Sequence, residues 1–439
     1  MVYLAALLAF MGFLVTFYDR STGFKRYVIF CLCLGLPVVS VFMSLSHIGG
    51  VTLTPLRIFL IPGMMLLFPL FSSASKRVRF SRLTVSVIIF SLYLVTIEFA
   101  NGHVYPSQIF DFILIILYSL LIDNTRFNQE DVKYMTIALT VLVLVSFAAS
   151  IIQAMVDPAF LFNDRIYDEA ANVGLIKAFG DIYRNPSVYT GLMGGDGDFI
   201  MGVLFAWFLF EFAKSKKKYF LLFAALIGAC SILTFNRSAW IFLVVGLILF
   251  SVFNVKRVYM FIIILVVTVL YAFNGALISS LFETNFVQER VLASSYEERI
   301  TTHEIFFKYL WHENILLGSG IYDPSDGFRA HGRWGGSLDG FITIYRVGGL
   351  LGLFLFLNIF YKWISLAIGQ IKRNKNIVVL SFLISYISYN FTLSNPEFQS
   401  FLVFFILLAI TKMNEDVRVE YTLPVKAMKK SKQVTPNNS

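Results

Sequence analysis

Residues 83–100 read LTVSVIIFSLYLVTIEFA, fifteen positions from Leu83 to Ile97 without a formal charge before Glu98 interrupts the run. At about 1.5 Å of rise per residue, a helix of this length reaches most of the way across a hydrocarbon core of about 30 Å. The stretch is too long and too uniformly apolar for a barrel strand, which alternates over about ten residues. Backbone groups in lipid must satisfy one another, and a helix does so within a single segment.

The same reading recurs along the chain. Apolar spans are expected near 2–17, 27–47, 57–71, 83–100, 108–122, 134–156, 199–213, 219–234, 239–253, 258–281, 341–361, 377–393 and 399–411. With 57% hydrophobic and 14% charged residues, the chain is expected to be an all-α integral membrane protein of about 12–13 transmembrane helices. Residues 1–17 lack a basic leader region and a small-residue cleavage site, so they read as a first span. Cys31, Cys33 and Cys230 lie inside apolar runs and form neither a disulfide framework nor a metal-ligand set. The expected organisation is N-terminal spans over 1–156, a first large loop over 157–198, central spans over 199–281, a second large loop over 282–340, C-terminal spans over 341–411, and a basic tail over 412–439 with the composition of a disordered segment.

Charge orients these spans, because basic residues in short loops stay on the cytoplasmic side. Of 36 Lys and Arg, 25 fall in the loops of one side, including KSKKK at 214–218 and the tail, which leaves 11 for the other. The tail is therefore expected inside, and both large loops outside. Of those 11 outer cations, nine are Arg: Arg57, Arg165, Arg184, Arg237, Arg290, Arg299, Arg329, Arg333 and Arg346. A guanidinium grips phosphate or carboxylate through two bonds, so the bias points to an outer anionic ligand. Pairing with outer carboxylates such as Asp164, Asp168, Glu297 and Glu298 is the competing reading.

Within LTFNRSAW, residues 233–240, Arg237 sits at the outer mouth between two spans. A helix starting near Ser238 would add unpaired N–H groups there, a setting that suits phosphate. Snorkelling to lipid headgroups is the alternative. In the second loop, Ile300, Ile305, Phe306, Tyr309 and Leu310 suit an amphipathic helix over 297–312 lying along the membrane surface, with Arg299 at its start. His303 and His312 fall on two faces of that helix and read as interfacial. GSGIYDPSDG reads as loop. In GRWGGSLDG, Trp334 offers either a ring for stacking on a sugar or an interfacial anchor.

The order LTFNRSAW, then Arg299, ENILLGSG, His331 and DGFITIYRVGGLLGLF resembles the O-antigen polymerase and ligase superfamily, over roughly residues 160–365. YRNPSVYTGLMGGDGDF, which contains Arg184, resembles the arginine-bearing stretch such proteins carry before their middle spans. The resemblance implies a GT-C-like, metal-independent glycosyltransferase in the bacterial inner membrane, with two large periplasmic loops, no cofactor and an active site facing the periplasm. Its implied partners are an undecaprenyl-pyrophosphate-linked oligosaccharide, membrane lipids, a chain-length regulator and a flippase, with no nucleic acid among them. By the same resemblance Arg237 and Arg299 hold the lipid pyrophosphate; the remaining outer groups Arg184, Arg329, Arg333 and Trp334 are expected to contact glycan or a second substrate.

One departure bears on the branch. Where the ligases carry a His-Asn pair before the entry helix, this chain has Leu338 and Asp339. That favours a polymerase with Asp339 acting on the acceptor hydroxyl, while His331, upstream in the same loop, keeps a ligase open. A transporter of lipid-linked sugar would also need outer arginines. Against it, the spans hold few charges, Glu98 and Asp111 being the most apparent, and no paired broken helices are evident.

Overall fold

The computed structural model describes residues 46–48, 51–53, 80–102, 106–156, 177–179, 182–183, 196–233, 237–254, 301–311, 314–320, 340–392 and 408–416. The spans expected over 2–17, 57–71 and 258–281 lie outside these residues. Within them the chain is a helical bundle. Its helices are α1 (Arg82–Ala100), α2 (Pro106–Asn124), α3 (Gln129–Met155), α4 (Asp196–Ser215), α5 (Lys218–Leu233), α6 (Arg237–Asn254), α7 (Gly340–Asn374), α8 (Val378–Thr392) and α9 (408–416). Three of them, α1, α3 and α7, are long and apolar enough to cross a membrane.

The described residues are mainly helical, as expected, with two short antiparallel hairpins beside the helices. β1 (Ser46–Ile48) pairs with β2 (Val51–Leu53), and β3 (Lys177–Phe179) with β4 (Ile182–Tyr183). The last residues of the span expected over 27–47 are thus strand, ahead of the two-residue Gly49–Gly50 connection that such hairpins favour.

α4 is the centre of the bundle. Every residue from Ile200 to Glu211 is buried, which is why its sequence is apolar on all sides. Trp207 and Phe208 are enclosed almost completely, and α5, α6 and α8 pack around them. Gly202 lets α6 approach, since a Cβ there would overlap the Phe242 ring and lie 2.7 Å from the Phe242 Cβ. The outward side chains, such as Phe354 at 67% and Ile137 at 60% exposure, are apolar too, as a lipid-facing surface requires.

α7 runs well past the expected span over 341–361, because the stretch read as a loop carries its own buried stripe. Trp363, Ala367 and Ile371 recur every four residues and face inward. There Trp363 Nε1 donates to Thr411 Oγ1 at 3.2 Å, and Gln370 Nε2 to the Thr411 carbonyl at 3.2 Å. α9 likewise continues through Asp416, past the expected start of the tail at 412.

The loop ends that the charge count assigns to one side do gather at one end of the bundle. Ser81 N–H donates to Asp123 Oδ2 at 2.6 Å, and Phe127 N–H to Asp416 Oδ2 at 3.0 Å. Lys362 Nζ donates to the Arg82 carbonyl at 3.3 Å and to Ser86 Oγ. Asn128 and Asp131 form a capping box at the start of α3. Beside them, burial pushes the Glu415 carboxyl above its ordinary range, opposed by Lys412 and Arg373 and reinforced by Asp416 and Asp123.

The packing predicts opposite outcomes for two glycines. Gly202→Ala should destabilise the detergent-solubilised protein by about 1–3 kcal/mol through overpacking against Phe242. Gly369→Ala, with open space around its Cβ, should stabilise by up to about 1 kcal/mol. Thermal midpoints check this, and the reverse order would mean that α4 and α6 do not meet as described.

Candidate functional site: a loop locked into a broken helix

α7 is interrupted at Gly349, where the backbone turns to φ 62° and ψ −164°. L side chains rarely tolerate that conformation. A break releases carbonyls on its N-terminal side and N–H groups on its C-terminal side, and each must find a partner if it is buried. Here the segment 314–320 supplies them. Ser319 N–H and Oγ–H both donate to the Arg346 carbonyl, at 2.8 and 3.0 Å, and Gly320 N–H donates to the Val347 carbonyl at 3.0 Å. In return Leu350 N–H donates to the Ile315 carbonyl at 2.9 Å, and Leu351 N–H to the Leu316 carbonyl at 3.2 Å. The Tyr93 hydroxyl of α1 lies 2.7 Å from the Gly348 carbonyl and 3.0 Å from that of Leu317, bridging both segments.

Glycine makes the approach possible. A Cβ on Gly318 would overlap the Val347 carbonyl and Gly349 N, and one on Gly349 would overlap the Leu316 carbonyl. Gly318 and Gly320 both take φ of +80°. Gly348 and Gly352, four apart on α7, present their faces to Tyr93, and their Cβ positions fall 3.4 and 3.3 Å from its ring.

The lock sits against a buried carboxylate. Glu98, in the last turn of α1, is 1% exposed, and a Cβ on Gly320 would lie 2.9 Å from its Oε1 and 3.1 Å from Asn101 Nδ2. Arg346, whose Nη1 is buried, carries the carbonyl that receives both Ser319 donors. A buried acid in an apolar helix is the kind of group that membrane proteins keep for function. The sequence reading noted Glu98 as a stray charge and Arg346 as one of nine outer arginines; the lone acid closing an apolar run was the available signal.

The segment preceding the lock docks on the first turns of α7. Residues 301–305 are α-helical and Phe306–Leu310 continue as a π-helix. Phe306 and Leu310 are buried against Ile342 and Tyr345, Phe306 meets the Tyr345 ring edge-on at 6.3 Å, and Tyr345 OH donates to the Trp311 carbonyl at 3.1 Å. Tyr309, expected on the same face, is exposed with Phe307, because the four-residue step from Phe306 to Leu310 defines the inner face. His303 is half-buried, with its Nε2 enclosed.

Of the site residues expected from sequence, Arg237 opens α6, as the predicted helix start requires. Its side chain lies outside the described residues. So do Arg184, Arg299, Arg329, His331, Arg333, Trp334 and Asp339. The structure nevertheless fixes both ends of the segment that holds five of them. Residues 321–339 leave from Gly320 and return at Gly340, and both flanks belong to the one locked unit. Segments that join rigid elements are a common mount for binding and catalytic groups. No protein-family model matches the chain, and a search among curated proteins finds no match.

Tyr93→Phe removes the bridging hydroxyl while keeping the ring over Gly348 and Gly352. Loss of such a bond costs about 1–2 kcal/mol, so amide exchange at 315–320 and 350–351 should quicken roughly five- to thirtyfold, with α4 and α5 unaffected. Unchanged exchange in both segments would show that the hydroxyl does not hold the lock.

Proposed function

We propose that the chain is a membrane-embedded polymerase of lipid-linked oligosaccharide repeat units, moving a growing glycan from undecaprenyl pyrophosphate to an incoming unit at the outer membrane face. The observation that carries this reading is the lock itself. ENILLGSG and IYRVGGLLG, two of the motifs behind the resemblance, form one interlocked unit, and the segment between them holds Arg329, His331, Arg333, Trp334 and Asp339. The nine outer arginines supply the charge that a pyrophosphate ligand needs.

In the proposed reaction an acceptor sugar hydroxyl attacks the anomeric carbon of the donor glycan. The carbon–oxygen bond to the pyrophosphate breaks, and the lipid pyrophosphate leaves with its negative charge. Arg237 and Arg299 stabilise that charge, and Asp339 positions the hydroxyl and takes its proton. The break at Gly349 lends no support to transport, because the backbone groups it frees from Arg346 to Leu351 are taken up by residues 315–320 and Tyr93.

Arg237→Ala and Arg299→Ala should each reduce glycan extension by about 10²–10³-fold at near-normal membrane levels of protein, with Lys restoring part of it. Asp339→Asn should leave single repeat units attached to the usual surface acceptor and no longer chains. The checking measurement is electrophoresis of surface glycan from a deletion strain carrying each variant. Full activity in both Arg variants would refute the pyrophosphate role. Full-length glycan stranded on its lipid carrier would mean a ligase, and would move attention from Asp339 to His331.

A further inference from the structure

At the basic end of the bundle, opposite the locked loop, the ends of α4, α6, α7 and α9 enclose a cavity of about 300 Å³. Its mouth carries Lys214, Arg373 and Lys375, all exposed. Its lining includes Trp207, Asn254 and Asn414, whose Nε1 and two Nδ2 groups are buried and have no acceptor within bonding distance. Val132, Phe210, Ala213 and Met413 complete the wall with apolar surface.

Two bland explanations account for parts of this. Cytoplasmic loops are rich in lysine as a rule, and Lys214 and Arg373 stand in the last turns of their helices, where a cation suits the dipole. Neither accounts for three buried donors on separate helices that all lack an acceptor, among them Trp207 at 1% exposure. Buried N–H groups in native proteins are nearly always bonded, so a set of them around one space is matched by oxygen acceptors that occupy it. Donors inside and cations at the rim together call for an anion with several oxygens. Glu211 is the one carboxylate in the lining, 8% exposed, and its Oε1 is buried there with no donor in reach, a demand met by a protonated oxygen of the bound group; Lys214 lies one turn further along the same helix. Among the lining residues three cations face one carboxylate, and Arg373 also acts on Glu415 just outside the wall, so Lys214 and Lys375 carry the excess positive charge.

We infer that this cavity is a binding site for a phosphate-bearing anion, distinct from the outer site and independent of the function proposed above. The phosphate belongs either to the headgroup of an anionic lipid, whose chains would follow the apolar wall, or to a small soluble phosphate compound. Both meet the same donors and cations.

The test uses the full chain, purified and delipidated in zwitterionic detergent. Its thermal midpoint is titrated with short-chain phosphatidylglycerol, with phosphatidylcholine and with inorganic pyrophosphate. A saturable rise with phosphatidylglycerol but not phosphatidylcholine identifies a lipid headgroup; a rise with pyrophosphate alone identifies a soluble ligand. In either case Lys214→Ala with Lys375→Ala should weaken the apparent affinity about 25-fold, at about fivefold per cation. Lys216→Ala with Lys217→Ala, an equal charge change on exposed residues outside the cavity, should leave it within about twofold. Asn254→Leu, which removes one inner donor without touching the charge, should weaken it as well and serves if the double variant does not fold. No response to any phosphate compound, or equal loss from both lysine pairs, would overturn the inference.

Discussion

The hydrogen bonds between residues 315–320 and the break in α7 are the constraint on which one end of the bundle depends. A helix broken inside a bundle leaves polar backbone groups that neither lipid nor apolar side chains can satisfy. Here four N–H donors, from Ser319, Gly320, Leu350 and Leu351, close the gap reciprocally, and Tyr93 ties the result to α1. Neither segment is stable in this form without the other. The close contact requires glycine at 318 and 349, so the sequence around each is tied to the conformation of its partner.

That arrangement separates two tasks. The bundle around α4 supplies rigidity through tight aromatic packing, as where the Phe360 and Tyr386 rings stack at 5.5 Å and Phe242 meets Phe382 at 6.2 Å. The lock then joins residues 314–320 to that rigid bundle at one end. Glu98, a buried acid, lies where the two meet, beside Gly320, and the Arg346 carbonyl accepts the neighbouring Ser319 donors. At the opposite end the same helices finish around a cavity lined by donors, so the two ends of the bundle differ in chemistry as well as in charge.

The helices were legible where hydrophobicity alone decides, as in α1, α5 and α6, whose observed ends fall within two residues of those read from sequence. The start of α6 at Arg237 was legible too, because a cation between two apolar runs marks a boundary. The length of α7 was not. Trp363, Ala367 and Ile371 bury a stripe among Lys362, Lys372 and Arg373, and a count of charges reads such a stretch as loop. The break at Gly349 was hidden for a different reason. A Gly-Gly pair entering an apolar run looks the same whether the helix continues or turns, and only the partner segment, some thirty residues earlier, decides. Glu98 was visible as a residue but not as a site, since its burial depends on Gly320 from a distant loop. Asp339 and His331 were chosen by resemblance, and their side chains fall outside the described residues; what the structure adds is the fixed frame on either side of them.

The central proposal is that residues 321–339 lie on the outer side of the membrane, where a lipid-linked donor would be met. Cysteine placed at Ser325 and, in a separate variant, at Lys216 tests it with a membrane-impermeant maleimide on intact cells whose outer envelope admits the reagent. The account predicts labelling at position 325 in intact cells and at position 216 only after the membrane is permeabilised. Labelling at 216 in intact cells with protection at 325 would contradict it, placing the locked loop in the cytoplasm and the assigned chemistry on the wrong side of the membrane.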